Sequence, residues 1–341
     1  MKEIVIGNNE SDKRLDGFLK SYLPNASMGF IYKMLRKKNI TLNGKKASGT
    51  EKLASNDVIC IFFADETLDK FRGLSTDSTQ SGNNSISRSD IQDYCKREIS
   101  SYKKIGELKV IYENKHVIFV DKPAGLLSQK SKDTDDSLND WLIGYMLTNN
   151  LITPSELETY KPSICNRLDR NTSGLVICAK SLLGARTMNN MLKDRTLHKY
   201  YRTIVTGKIS ESSELKGFLY KDEKKNKVFI KTSNPGDDRY SYIETEYKPV
   251  RYYNGLDMTL LEVKLITGKP HQIRAHLQSI GHPIIGDVKY GGSPVKGLKY
   301  QLLHSYRLVL PKDLNDEFCD IAGKEFIAEL PDTFGSIIGK G

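Results

Sequence analysis

The chain has 341 residues, 38% hydrophobic and 28% charged, with 52 Lys and Arg against 42 Asp and Glu, a formal net charge of +10. That length supports one sizeable core plus a smaller module, and the basic balance points to a polyanionic partner, nucleic acid or a membrane surface. No apolar run approaches the roughly 18 residues that span a bilayer, Met1 to Glu10 carries no signal-peptide pattern, and the five cysteines are scattered without C-x-x-C spacing, so an integral membrane protein, a disulfide framework and a cysteine zinc site are excluded in favour of a cytosolic protein with reduced thiols.

The first module spans about residues 11 to 64. Leu15, Phe18, Leu19 and Tyr22 recur at i, i+3, i+4 and i+7, which predicts a helix, with Asp12 as its N-cap and Pro24 as its stop. A second helix is expected over Met28 to Arg36, with Ile31, Met34 and Leu35 on its apolar face. Ile40 to Lys45 alternates and turns at Asn43-Gly44, a hairpin signal, and Val58 to Phe63 reads as a further strand. Lys33, Arg36, Lys37, Lys38, Lys45 and Lys46 are concentrated in a stretch without acidic residues from Ile31 to Lys46, a pattern that can contact phosphates or simply form a solvated face.

Residues 65 to 104 form a linker, expected to be partly disordered and partly helical. Asp65 to Ser89 is rich in Ser, Thr, Asp, Asn and Gly and cannot bury enough surface to offset its ordering entropy. Asp90 to Tyr102 reads as a short helix with Ile91, Tyr94, Cys95, Ile99 and Tyr102 on one side.

A larger domain is expected over residues 105 to 335. Two strand-like segments, Lys109 to Tyr112 and Val117 to Val120, lead into a turn at Asp121-Lys122-Pro123-Ala124-Gly125. A helix carrying the only tryptophan, Trp141, follows. The centre of the chain is Ile164 to Ala179. Asp169 lies there between Arg167 and Arg170, in a turn-rich stretch that feeds the apolar strand Leu175 to Ala179. A carboxylate on a loop before a buried strand suits chemistry, although a surface ion pair would have the same spacing. Beyond it come a helix capped by Ser181 and a strand over Leu197 to Val205. Residues 210 to 258 read as polar hairpins whose Lys221, Lys224, Lys225, Lys227, Lys231 and Arg239 either extend the basic surface or form a solvated face. Leu260 to Ile266 is a strand running into Thr267-Gly268, and a helix starts near Pro270 and stops at Gly281. His271 and His276 are five apart with no acidic third ligand nearby, so no metal site is expected.

The stretch Arg167-Leu168-Asp169-Arg170-Asn171-Thr172-Ser173-Gly174 resembles the R-L-D-x-x-T-S-G signature of RluA-family RNA pseudouridine synthases. Three further blocks are similar to that family. They are Asp121 to Gly125; Lys199, Tyr201, Val205 and Gly207; and Thr267 to His276 followed by Gly281 to Asp287. The resemblance implies that Asp169 is catalytic, that Tyr201 rather than Tyr200 stacks on the base and helps remove its C5 proton, that Arg274 pairs with Asp169, and that Arg167 fills the gap left by a flipped nucleotide. A guanidinium can hold a carboxylate by two parallel hydrogen bonds, and that geometry is the one expected between Arg274 and Asp169. Asn166 and Lys269 depart from the family pattern, which has His and Arg at those places.

Arg14-Leu15-Asp16, Ile31 to Lys37 and the Leu42 to Lys45 turn resemble an S4 (αL-type) RNA-binding domain, which gives Lys33, Arg36, Lys37, Lys38 and Lys45 the role of RNA contacts. The implied fold is α+β, a mixed, mainly antiparallel sheet domain joined to a small S4 module. The implied function is isomerisation of uridine to pseudouridine in RNA, most naturally large-subunit ribosomal RNA, by a cytoplasmic monomer. The reaction involves no net redox change, so no cofactor is expected. Transfer RNA as substrate, a dual specificity, and a non-catalytic ribosome-assembly factor are the alternatives.

Overall fold

The computed structural model describes residues 1–7, 10–72, 88–223, 226–295 and 297–339. The chain forms two compact units. One comprises Met1–Glu107, Asn139–Ser163 and Lys180–Gly184; the other comprises Leu108–Leu138, Ile164–Ala179 and Ala185–Gly341.

In the first unit β1 (Lys2–Val5), β2 (Ile40–Leu42), β3 (Lys45–Lys46) and β4 (Val58–Ile61) pair in the order β1-β4-β2-β3. The expected stripe of α1 (Leu15–Tyr22) is buried at Leu15, Phe18, Leu19 and Tyr22. Asp12 does not cap this helix: it has a left-handed φ of 65°, and the cap position is Arg14, whose side chain makes no capping bond. Ser27 caps α2 (Met28–Arg36) by accepting from the Phe30 amide at 3.2 Å. Asn43 and Gly44 both take positive φ, 51° and 72°, the signature of a tight hairpin turn between β2 and β3.

The start of the expected linker is ordered. Residues 65–72 form α3 (Asp65–Arg72), which buries Leu68 and sets the Phe71 ring 4.2 Å from that of Phe30. Two apolar residues three apart suffice to dock one helical turn where an aromatic pocket is already present. The rest of the linker reading, over 73–87, lies outside the described residues; α4 (Arg88–Ile105) follows, longer than expected at both ends. Helix α5 (Leu138–Thr148) carries Trp141, which is buried, stacks on Tyr145 and donates from Nε1 to the Gly106 carbonyl at 2.9 Å. Residues 139–163 group with the first unit although they lie inside the 105–335 span.

The second unit is built on one large sheet. Its strands are β5 (Lys109–Glu113), β6 (Val117–Lys122), β7 (Ser163–Ile164), β8 (Ser173–Ala179), β9 (His198–Thr206), β10 (Ser213–Asp222), β11 (Lys227–Lys231), β12 (Ser241–Tyr253), β13 (Met258–Leu265), β14 (Leu303–Val309) and β15 (Glu325–Ile327). The main path runs β11-β10-β12-β13-β9-β14-β8-β6-β5, with β15 on β14 and β7 on β8. Helices α6 (Leu182–Lys193), α7 (Gln272–Ser279) and α8 (Asp332–Ile338) accompany it. Strands β14 and β8 pair in parallel and the other neighbours on the main path are antiparallel, so the sheet is mixed and mainly antiparallel, as expected.

Strand β8 is buried along its whole length because it is central, between β6 and β14, and covered on both faces. Leu175 and Ile177 share a core with Phe119, Met188, Phe318 and Phe326. The Gly174 of the signature is required here. Its φ is 107°, and a Cβ on it would lie 2.2 Å from the Ser305 carbonyl oxygen of β14. The close β8–β14 crossing fixes where the preceding loop, with Asp169, emerges.

Candidate active site

Asp169 sits in the turn between β7 and β8, its backbone carbonyl accepting from Thr172 N–H at 3.0 Å. The Asp121–Gly125 block and the residues after it hold that turn from both sides. Ser128 Oγ accepts from Leu168 N–H at 3.0 Å and donates to the Leu168 carbonyl at 2.7 Å. Gly125 N–H donates to the Arg170 carbonyl at 2.9 Å, and Arg170 Nε returns a bond to the Gly125 carbonyl at 3.1 Å. Lys122 is fully buried, and its Nζ donates to the carbonyls of Pro123, Leu126 and Arg170 at 3.0, 2.8 and 3.1 Å. Burial pulls the Lys122 pKa down to about 7, partly offset by Asp169 and Asp121. Its carbonyl contacts use all the donors of an ammonium, so the charged form locks the loop. The residues immediately before and after Asp169 are thus clamped by the backbone of one short segment.

The Asp169 side chain, 26% exposed, meets α7. Arg274 Nη1 donates to its Oδ2 at 3.1 Å. The two parallel bonds expected for that pair are made elsewhere: Arg274 Nε and Nη2 donate to Asp287 Oδ2 and Oδ1 at 2.6 and 2.8 Å. Asp287 is buried just after α7, so it can saturate one edge of the guanidinium, while the partly open Asp169 receives a single bond. Burial disfavours the Arg274 charge, but hydrogen bonding to Asp287 and the charges of both carboxylates outweigh it and raise the pKa.

His271 stands at the N-terminus of α7 in a left-handed conformation, φ 54° and ψ 13°, which is strained for a side-chain-bearing residue. That turn aims Nε2 at Asp169 Oδ2, 3.8 Å away. Its Nδ1 lies 2.9 Å from the Tyr290 hydroxyl, which itself accepts from Val228 N–H at 3.0 Å. An amide can only donate, so the Tyr290 hydroxyl keeps its own proton free to give to Nδ1, an arrangement that puts the His271 proton on Nε2, facing Asp169. Burial, with Arg274 and Lys289 nearby, lowers the His271 pKa against the pull of Asp169, which keeps the ring neutral.

Tyr201 on β9 is buried and borders the same cleft. Burial raises its pKa, against a hydrogen bond from Ser305, so it is a neutral phenol. Cys165 also lines the cleft, with its thiol pushed up to about 12 by burial, so no thiolate stands beside Asp169. His276 points elsewhere, with Nδ1 on the Thr245 hydroxyl at 2.9 Å, and no cluster of potential metal ligands occurs among the described residues.

The cleft has a volume of about 1350 Å³. Arg167, Arg170, Lys193, Arg195, Lys199, Lys221, Lys269, Arg274 and Lys289 line it, and Asp169 is the one carboxylate among the described lining residues. Asp169, Tyr201, Arg274 and Arg167 are therefore brought together. Lys33, Arg36, Lys37, Lys38 and Lys45 are exposed in the first unit, at the end of α2 and on the β2–β3 hairpin. Asn166 accepts from Ile177 N–H at 2.7 Å and so secures the β7–β8 loop, while Lys269 keeps a cation on the cleft rim. Asp287, Tyr290 and Ser128 had no sequence-based role. Asp287 ends the Gly281 to Asp287 block, and that was its available signal.

Residues 116–279 match the RNA pseudouridylate synthase family. The chain is 30% identical to a ribosomal large subunit pseudouridine synthase C of Rickettsia bellii over 98% of this chain and 100% of that one. It is 33% identical to a ribosomal large subunit pseudouridine synthase D of Borreliella burgdorferi over 67% of this chain and 66% of the relative. The solved structure of human RNA pseudouridylate synthase domain containing 4 shares the fold at 19% identity, with a TM-score of 0.53, covering 70% of this chain and 94% of that one. No helix among the described residues is long and apolar enough to cross a membrane.

Proposed function

The chain belongs to the RluA family of RNA pseudouridine synthases, which are isomerases, and we propose that it converts specific uridines of large-subunit ribosomal RNA to pseudouridine, with Asp169 as its catalytic residue. The observation that carries this reading is a single carboxylate, held by a guanidinium, in a cleft whose other charged lining residues, among those described, are cations. Cations neutralise the phosphates of an RNA strand, and the one anion is left for chemistry.

In the reaction the N1–C1′ bond of uridine breaks and a C5–C1′ bond forms, while the C5 proton is lost and one is gained at N1. Atoms and electrons balance without an added reagent. The base must leave its stack to expose C1′ and C5. Asp169 either attacks C1′ or takes a ribose proton to give a glycal. Arg274 holds it in place by a hydrogen bond, and the neutral Tyr201 stacks on the uracil and helps carry away the C5 proton. Arg167, exposed on the cleft side of the loop, occupies the space left by the flipped nucleotide. Residues 11 to 64 act as an S4 RNA-binding module through Lys33, Arg36, Lys37, Lys38 and Lys45. Two relatives named for the ribosomal large subunit support the choice of RNA.

The test is pseudouridine mapping by chemical labelling of ribosomal and transfer RNA from cells with the wild-type gene, without it, and with Asp169→Asn. Marks lost from large-subunit RNA in both altered strains are expected. Marks lost only from transfer RNA would replace the substrate, and full modification by Asp169→Asn would overturn the catalytic assignment.

A further inference from the structure

The edge of the large sheet formed by β10, β11 and β12 has two unlike faces. Leu219, Val228 and Ile243 are buried on one, against Ala275 of α7 and Tyr290. The other carries aromatic side chains. Phe218 stands opposite Tyr242 on β12 and Lys231 on β11, and Tyr220 stands opposite Phe229. Phe218 and Tyr242 meet edge to face at 5.8 Å between centroids, and Tyr220 and Tyr240 lie 5.5 Å apart. Phe229 is 44% exposed and Tyr242 41%, so these rings are not a core. Cations accompany them: Lys231 Nζ is 5.2 Å from the Tyr240 centroid, and the Arg239 guanidinium, tethered by Asp237, is 5.4 Å from that of Tyr220. Lys231 has no carboxylate within ion-pair distance among the described residues. Tyr242 also borders the cleft that contains Asp169.

We propose that this outer face of β10–β12 is a stacking platform for unpaired bases of the RNA strand that runs out of the cleft. The inference rests on the reading that the cleft takes RNA. A sheet face that offers several rings with cations between them fits single-stranded nucleic acid, because every base has a π-face and every linkage a negative charge. A protein partner would call for a charge-depleted centre, and here Lys231 and Arg239 sit on Tyr240 and Tyr220 beside the more exposed rings of Phe229 and Tyr242. Continuity through Tyr242 gives the platform the same strand that the cleft holds.

The experiment measures anisotropy of a fluorescein-labelled single-stranded oligoribonucleotide of about 12 nucleotides bound to the full chain. Variants are Phe229→Ser with Tyr242→Ser, Tyr242→Phe, and Ile327→Ser as a control that removes an equally exposed apolar side chain elsewhere. The double variant should bind about tenfold more weakly, with the same ratio at about 50 and about 250 mM salt because stacking releases no counterions. Tyr242→Phe and Ile327→Ser should bind like wild type. Should the double variant lose its fold, Tyr242→Ala alone, read beside Tyr242→Phe, keeps the question open to measurement. An affinity within about twofold of wild type for the ring-deleted chains overturns the platform. So does a change in oligomeric state without a change in RNA binding, since that makes the face a protein interface. Failure of the functional reading is distinct: it appears as absent pseudouridine formation by the wild-type chain, whatever the oligonucleotide does.

Discussion

Arg274 faces two carboxylates unequally: it gives a parallel pair of hydrogen bonds to Asp287 and a single one to Asp169. Asp287 therefore sets the orientation of the guanidinium, and Asp169 receives the remaining arm. Asp287→Asn should lower kcat by about tenfold or more with little change in KM, because the lost alignment acts on the reacting carboxylate rather than on RNA binding. It should also lower stability by about 3 kcal/mol, since a buried guanidinium loses an ionic partner. Steady-state kinetics with urea unfolding checks both. A change confined to KM would contradict the positioning role.

The signature residues were legible in the sequence because each has a local reason. Gly174 cannot bear a Cβ, Ser181 caps a helix, and β8 is a continuous apolar run because it is central. The long-range partners were not. Asp287 lies 118 residues from Asp169, and their shared guanidinium becomes visible only when α7 is seen against the β7–β8 loop. The Lys122 and Ser128 clamp is equally hidden, because its acceptors are backbone carbonyls, which any sequence supplies. The aromatic face of β10–β12 escaped notice because its rings sit next to apolar residues of the buried face, as in Phe218-Leu219-Tyr220 and Val228-Phe229-Ile230, and only the pairing of the strands separates the two faces.

Tyr290→Phe tests the hydrogen-bond chain that fixes the His271 proton on Nε2. The ring and its contact with Arg274, 4.9 Å from guanidinium carbon to centroid, stay in place. The hydroxyl at Nδ1 disappears, and the buried Val228 N–H loses its acceptor with it, so the two neutral tautomers should become mixed at some cost in stability. Nitrogen-15 chemical shifts of His271 would report the mixture, and kcat should fall by about five- to tenfold. A tautomer population unchanged by the substitution would refute the chain.

Gly174→Ala probes the β8–β14 crossing. Its added methyl meets backbone, not a movable side chain, and the positive φ adds strain of its own. A loss of about 3 kcal/mol or more is expected, with the second unit unfolding at lower denaturant while the first is unaffected. Trp141 belongs to the first unit, so its emission should keep the wild-type midpoint and serve as the internal control. A shift in the tryptophan midpoint alone would count against the account.

Acid should weaken the second unit before its carboxylates titrate. His304 is buried between Ser173 Oγ, 2.8 Å from Nδ1, and the Ala328 carbonyl, 3.2 Å from Nε2. The carbonyl must accept, so Nε2 carries the proton and Nδ1 accepts from the serine, a neutral ring. His276 is likewise buried, with Nδ1 taken by Thr245. Burial pulls both down to about 4. The unfolded chain binds protons at the ordinary histidine value near 6.5, so between about pH 6.5 and 4 it holds more protons than the native state, and stability falls as pH falls. Each ring contributes about 3 kcal/mol over that window. Hydrogen exchange of β9 and β14 amides, which belong to this unit, should show the decline, and replacing His276 with Gln should flatten it. A carboxylate of the same unit such as Asp237, held at about 2 by its hydrogen bonds from Arg239, loses its contribution only at lower pH. Exchange rates corrected for intrinsic chemistry that stay level from pH 6.5 to 4 would mean that these rings are already protonated in the fold, against their hydrogen bonding.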